Sequence, residues 1–240
     1  MREMPHVVML SLWRDDVARN LKQRAFHLLS KSYPALRWVW VVGDSSDGTY
    51  EQLVTVRNEV YPYRKVDIYN MDTGIVGEDP ITRRRRLGQT ANKWLEAVQD
   101  EDDYLLMHES DIISPVDVVE QFVNHAAVGR CPIAAWPILP VGENKAVFYD
   151  IWAYRKDGVM FTNNPPFHAC YKADEAFEID SVGTCWMFEA DDARQGARFG
   201  DEAVLTLCRT LKTMGRTFWV DPKLIVVQPH ELWTPHVVDY

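Results

Sequence analysis

Short apolar runs that break off into acidic or glycine-bearing turns recur along this chain, and between them apolar positions fall at helical spacing. His6 to Leu12 is the first run. It ends at Trp13-Arg14-Asp15-Asp16, and Val17, Leu21, Ala25, Leu28 and Leu29 follow at helical spacing. The pattern predicts a strand and then a helix capped by Asp15 or Asp16 and stopped at Tyr33-Pro34. Arg37-Trp38-Val39-Trp40-Val41-Val42 reads as a central strand covered on both faces. Its turn, Gly43-Asp44-Ser45-Ser46-Asp47-Gly48-Thr49, leads into a helix from about Thr49 to Val60. Lys65 to Tyr69 is a third strand. After the polar loop Asn70 to Pro80 comes a helix capped by Thr82, with Leu87, Ala91, Trp94, Leu95 and Val98 on its apolar face.

The clearest break is at Asp103 to Ile113, where the run Tyr104-Leu105-Leu106-Met107-His108 stops at Glu109-Ser110-Asp111. This predicts a buried strand delivering two acids to its C-terminal end, where ligands bind in a mostly parallel α/β sheet. The same acids can instead cap the helix predicted from Pro115 to Ala127. Ile133 to Trp136 is a further strand. Pro137 to Pro166 is irregular, and its aromatic segment Phe148-Tyr149-Asp150-Ile151-Trp152-Ala153-Tyr154-Arg155 suits either an acceptor grip or a hairpin packed into the core. Glu178 to Glu189 reads as a strand, and Asp191-Asp192 caps a short helix. Gly200-Asp201-Glu202 opens another helix, which ends at Gly215. Two closing strands, Thr217 to Val220 and Leu224 to Val227, are separated by Asp221-Pro222 and followed by Gln228-Pro229-His230-Glu231. No repeat or linker divides the chain, so one α/β domain over 1–240 is expected, with a mostly parallel central sheet flanked by helices.

Composition narrows the chemistry. A chain of 240 residues, 47% apolar and 25% charged, is an ordinary globular enzyme length and balance. The net charge of −9 opposes an extended polyanion-binding surface. Nine Trp, ten Tyr and nine Phe suit a dense core or a site that stacks rings. Cys131, Cys170, Cys185 and Cys208 have no Cys-x-x-Cys or metal-finger spacing, so free thiols in a reducing compartment are expected. No apolar run reaches a membrane-spanning length, and the expected location is cytoplasmic.

The strand ends collect Asp44, Glu109 and Asp111, hard oxygen donors that suit Mg2+ or Mn2+ together with phosphate oxygens. Such a cation neutralises charge as a nucleoside diphosphate departs. Arg83-Arg84-Arg85-Arg86 sits at a helix start, where positive charge opposes the macrodipole; one member turned toward the acids could hold a diphosphate. His230, just past the last strand, is either structural or a further ligand.

In order and spacing, Gly43 to Thr49, the Arg-rich helix with Asn92, Glu109-Ser110-Asp111, Val182-Gly183-Thr184, Glu189-Ala190-Asp191, Arg194 to Phe199 and the final strand with His230 resemble a GT-A fold nucleotide-sugar glycosyltransferase. More narrowly, they are similar to the fungal Golgi α-mannosyltransferases of glycosyltransferase family 62. The resemblance implies a nucleotide-binding half at 1–114 and an acceptor-binding half at 115–240. Asp44 would contact the donor's base or ribose, Asp111 would be the principal metal ligand, and Glu109 would touch the ribose or metal-bound water. His230 would be a metal or diphosphate ligand. An arginine among Arg83, Arg84, Arg85 and Arg86 matches the family's basic residue, and Asn92 its Ala-Arg-Asn segment. Glu109 replaces an aspartate, and Ala91 replaces an arginine.

The expected function is therefore Mn2+- or Mg2+-dependent hexosyl or pentosyl transfer from a nucleoside-diphosphate sugar to an acceptor hydroxyl, with retention implied by the resemblance. The acceptor is a glycan or a hydroxylated nucleic-acid base, and Asp201 or Glu202 is the acceptor-side base unless it caps its helix. A nucleotidyltransferase and a non-catalytic nucleotide-sugar or glycan-binding module are the alternatives.

Overall fold

The computed structural model describes residues 4–60, 62–77, 79–140, 146–150, 152–160 and 173–229. In chain order it forms β1 (Val7–Trp13), α1 (Leu21–Leu29), β2 (Leu36–Gly43), α2 (Thr49–Val60), β3 (Val66–Met71), α3 (Pro80–Glu96) and β4 (Tyr104–His108). Then come α4 (Val118–Ala127), β5 (Ile133–Pro140), β6 (Ala146–Phe148), the small pair β7 (Arg155–Lys156) and β8 (Val159–Met160), and β9 (Phe177–Ile179). The last elements are β10 (Cys185–Glu189), α5 (Ala190–Arg194), α6 (Val204–Thr213) and β11 (Phe218–Val227).

The main sheet runs β3-β2-β1-β4-β10-β5-β11-β9, with β6 hydrogen-bonded to β5. β3, β2, β1 and β4 are parallel, as expected where helices connect successive strands. β10 runs antiparallel between β4 and β5 and joins the two halves of the chain in one sheet. Alternate side chains of each strand feed opposite layers, because strand side chains repeat every second residue. Val39, Val41, Leu105 and Met107 pack with α3, α5 and α6. Trp38, Trp40 and Leu106 pack with α1, α2 and α4. All of β2 is buried, in keeping with its apolar run.

Five local expectations change. The single strand expected over Glu178 to Glu189 is divided between β9 and β10, which lie apart in the sheet, and Asp191 and Asp192 fall inside α5, whose N-cap is Glu189. Neither Asp15 nor Asp16 caps α1: a single 3-10 turn over Val17–Arg19 and Asn20, at φ 57°, intervene. Asp16 instead accepts from the Arg14 amide at 2.9 Å and the Arg24 guanidinium at 2.8 Å. The cap of α3 is Asp79, not Thr82, because Pro80 presets the first helical φ and Asp79 accepts from the Ile81 and Thr82 amides. The two closing strands are one, with a register shift between Val220 and Ile225 that accommodates Pro222 in β11.

Helix α1 supports the turn at the end of β4. Arg24 and His27 share one face of α1 by their spacing, and Lys31 follows two residues after its last residue. Arg24 donates to the Ser110 carbonyl at 2.8 Å and to its hydroxyl at 2.6 Å. The Ser114 amide donates to His27 Nε2 at 3.1 Å, and Lys31, with no exposed surface, donates to the Ser114 carbonyl at 2.9 Å and to the same His27 nitrogen at 3.0 Å. Since Nε2 accepts, His27 is neutral with its proton on Nδ1. Its pKa is lowered to about 4 by burial and then by the Lys31 charge. His108, fully buried, meets the Glu109 carbonyl at 2.9 Å through Nδ1 and the Ser114 hydroxyl at 2.7 Å through Nε2.

Two outcomes follow from this packing. A Cβ on Gly88 of α3 would lie 2.3 Å from the Gly200 carbonyl oxygen, so Gly88→Ala should lower the urea unfolding free energy by about 1–3 kcal/mol. Unfolded His27 takes its proton near its ordinary value of 6.5 and the folded group only near 4, so the unfolded state binds more protons between them. This contribution is complete above about pH 6.5 and is lost as the pH falls toward 4. Comparing urea midpoints across that range, wild type should lose stability more steeply than His27→Gln, which has no titrating group there.

Candidate active site

The apolar run of β4 carries the chain straight to the acid turn, and the Glu109 amide extends the ladder by donating to the Thr184 carbonyl at 3.0 Å. Ile113 then pairs with Val227 in both directions at 2.8 Å, which fixes the far side of the turn against β11. Between these anchors stand Glu109 and Asp111. Burial raises the Glu109 pKa well above the usual carboxylate range; Asp111 and Asp150 push it further and Arg83 opposes them. Burial also raises Asp111, with Asp16 adding to the effect, while Arg24 and a hydrogen bond from the Gln228 side chain oppose it.

Asp150 is the acid that strand reasoning did not single out. It follows β6, whose antiparallel pairing with β5 sets Phe148 opposite Ile138, and the Tyr149 amide donates to the Pro137 carbonyl at 3.0 Å. The Thr184 hydroxyl donates to Asp150 at 2.5 Å and the Ala153 amide at 3.3 Å. Burial raises its pKa against both bonds. Gly183 leaves it room: a Cβ there would sit 2.3 Å from Asp150 Oδ2. Burial raises the Tyr149 phenol too, with Glu109, Asp111 and Asp150 adding to the shift. The available signal was a lone acid inside an aromatic run, but only the hairpin and the start of β10 bring it to Glu109.

Further along the same sheet edge, Asp44 sits at φ 52° after β2 and accepts from the Thr73 amide and hydroxyl, each at 2.7 Å. With Ser45, Asn70, Met71 and Asp72 it lines a cavity of about 540 Å³. Asp47, by contrast, caps α2 through the Thr49 amide and hydroxyl at 3.0 and 2.6 Å.

The four arginines of α3 diverge. Arg83 is near enough to the acids for its charge to oppose the raised Glu109 and Tyr149 pKa values. Arg84 lies over the Trp152 ring, 5.1 Å from its centroid, and Arg85 pairs with Asp201 at 3.1 Å. Arg86 is buried, 3.6 Å from Asp44, and donates to the Ile75 and Gly77 carbonyls.

Asn92, which matches the family's Ala-Arg-Asn segment, holds α3 to the segment before α6. Its amide group donates to the Phe199 carbonyl and its oxygen accepts from the Phe199 amide, both at 2.9 Å. Asp201 and Glu202 lie at the exposed entrance to α6, where Glu202 pairs with Arg209. The bond from Arg209 lowers the Glu202 pKa, with Arg84 and Arg155 acting in the same direction. Ala203, next to Glu202, has φ 46° and ψ −122°, a strained backbone of the kind that clusters at functional sites. His230 lies outside the described residues.

Among the described residues no three His, Cys, Asp or Glu side chains are placed to hold a metal by themselves. Mg2+ and Mn2+ sites commonly use one or two carboxylates and take their other oxygens from substrate and water. The acid turn fits that smaller donor set. Glu109 makes no side-chain hydrogen bond or ion pair among the described residues, and its repulsion by Asp111 and Asp150 is of the kind a cation relieves. Gln228, 2% exposed and bonded to Asp111, keeps a buried Oε1 without a hydrogen-bond partner among the described residues.

No protein-family model matches the chain, and no curated protein matches it in sequence. Solved structures do. The mannosyltransferase PcManGT from Pyrobaculum calidifontis, in complex with GDP-Man and Mn2+, is 14% identical and superposes with a TM-score of 0.58 over 94% of this chain and 57% of its own. S. aureus TarS 1-349 in complex with UDP-GlcNAc is 9% identical, with a TM-score of 0.62 over 98% of this chain and 61% of its own. A second S. aureus TarS structure is 10% identical, with a TM-score of 0.55 over 94% of this chain and 35% of its own. The chain therefore spans less than two thirds of the length of each. At this level of identity the likeness shows the fold: a single α/β layer structure with a mostly parallel central sheet flanked by helices, the GT-A architecture of these glycosyltransferases.

Proposed function

We propose that the protein is a divalent-metal-dependent glycosyltransferase that moves a sugar from a nucleoside-diphosphate donor to an acceptor hydroxyl. The observation that carries the reading is the convergence of Glu109, Asp111 and Asp150, half-buried acids from two separate segments, on the sheet edge that also holds the Asp44 cavity. Similarity to structures holding GDP-Man with Mn2+ and UDP-GlcNAc supports the same ligand class. The narrower likeness to family 62 gains no support from the comparisons.

In this reading Asp44 and its cavity take the base and ribose. Asp111 is the principal ligand of the cation, Glu109 stands beside it toward the ribose, and His230 is a further ligand. When bound, Mn2+ or Mg2+ supplies positive charge against the departing diphosphate. Arg83, the arginine turned toward the acids, adds to that charge from the protein side. Asp150 and Tyr149, near the same acids, offer oxygen partners to sugar hydroxyls.

Glu202 is the acceptor-side base. Its bond from Arg209 keeps it ionised at neutral pH, and the strained turn at Ala203 fixes its backbone. Asp201, paired with Arg85, holds the turn to α3. A base acting on the acceptor corresponds to single displacement with inversion, whereas the retention suggested by family 62 would leave the proton to the departing diphosphate. The net charge of −9 and the internal pairing of Arg85 and Arg86 favour a glycan hydroxyl over a nucleic-acid base as acceptor. No helix among the described residues is long and apolar enough to cross a membrane.

Thermal shift against a panel of nucleotide sugars, with and without Mn2+, tests the donor site. Wild type should be stabilised by the matching donor chiefly when Mn2+ is present, and Asp111→Asn should lose the metal-dependent part while melting normally alone. An unchanged metal-dependent shift in Asp111→Asn would overturn the assignment. Glu202→Gln should reduce single-turnover transfer by about 100-fold or more with donor binding unchanged. Full transfer by Glu202→Gln, with a product of retained anomeric configuration by NMR, would assign the proton to the diphosphate instead.

A further inference from the structure

Arg24 and His27 of α1, and Lys31 just beyond it, hold the acid turn, yet none of the three lines the Asp44 cavity. Arg24 holds Ser110 by both its carbonyl and its hydroxyl, and also bonds to Asp16 at 2.8 Å. His27 and Lys31 hold Ser114 by its amide and its carbonyl. Asp111 lies between these two anchored residues, and its neighbour Ile113 is fixed to Val227 from the other side. The turn is therefore gripped at one end by Arg24 of α1 and at the other by His27 of α1 with Lys31, two residues past the last residue of that helix.

Lys31 is the unexpected member. A lysine with no exposed surface gives up the hydration of its ammonium group, and burial lowers its pKa to about 8. An apolar side chain of similar volume is often as good for stability at such a place. What a methionine there could not do is bond the Ser114 carbonyl and, through the same ammonium, the His27 nitrogen that accepts from the Ser114 amide. Together the pair satisfies the donor and the acceptor of one backbone residue three positions beyond Asp111.

We propose that His27 and Lys31, with Arg24 at the other end of the turn, are positioning residues that hold the Asp111 carboxylate where it binds the divalent cation. The proposal rests on the reading of Asp111 as a cation ligand. In His27→Leu the Ser114 amide and the Lys31 ammonium both lose an acceptor, and the turn loses its grip beyond Asp111. In His27→Gln the side-chain amide oxygen can accept from both. Groups that orient a metal ligand from behind typically cost 10–100-fold in metal affinity when removed.

The test is calorimetric titration of the whole chain with Mn2+ in the presence of GDP and, separately, UDP, alongside circular-dichroism melting. His27→Leu should weaken Mn2+ binding by about 10-fold or more while remaining folded at the assay temperature, and His27→Gln should recover most of that affinity. Lys31→Met, which keeps the imidazole, should weaken Mn2+ in the same direction and serves if His27→Leu does not fold. Lower melting temperatures with wild-type Mn2+ affinity in His27→Leu or Lys31→Met would make the contacts structural only and overturn the proposal, as would failure of His27→Gln to recover. If wild type itself binds GDP and UDP no more tightly with Mn2+ than without, the parent reading of Asp111 fails and this one falls with it.

Discussion

Carboxylates crowded at the end of a buried strand repel one another, and much of the structure around this site can be understood as what keeps them together. Glu109, Asp111 and Asp150 all have raised pKa values, with loss of water as the first cause and, for Glu109, repulsion by the other two as the next. Such a cluster persists only if its backbone is held firmly. The grip comes from four directions: the Thr184 carbonyl on Glu109, Val227 on Ile113, the Thr184 hydroxyl on Asp150, and the polar face of α1 on Ser110 and Ser114.

The reversal of β10 gives the arrangement its particular form. Inserted antiparallel between β4 and β5, β10 sets its own beginning against the end of β4, with Cys185 opposite His108. Gly183 and Thr184 thereby arrive beside the acid turn, the first leaving space for Asp150 and the second bonding to it. Thr184, at φ 59°, joins Asp44 and Ala203 among the non-glycine residues held at positive φ near this edge. Strain of this kind has to be supported by the surrounding packing, here the two apolar layers on either face of the sheet.

The arginine run illustrates how one sequence motif divides into separate tasks. Helical geometry turns successive residues through about 100°, so four adjacent arginines cannot share a partner. Arg83 is turned to the acids, Arg84 to Trp152, Arg85 to Asp201 and Arg86 to Asp44. The positive charge near the start of α3 is thus distributed among the acid turn, Trp152, the entrance to α6 and the Asp44 cavity.

What the sequence determined alone is the local part. The apolar runs of β1, β2 and β4 and the acids that end them were legible because a strand covered on both faces must be apolar and must stop where polar groups begin. Asp44, Glu109 and Asp111 were found that way. The sequence also placed the main helices, but not the caps of α1 and α3, which depended on Asn20 and Pro80. Only the tertiary structure decided the partners of Asp150, Asn92 and Lys31. Asp150 reaches Glu109 through a hairpin and an antiparallel strand, and Asn92 turns to Phe199 across the gap between α3 and α6. Lys31 reads in sequence as one more solvated charge, and it is buried because the turn after β4 folds over it, bringing together residues 83 positions apart. Local spacing fixes which residues share a face; what that face meets depends on how distant segments pack.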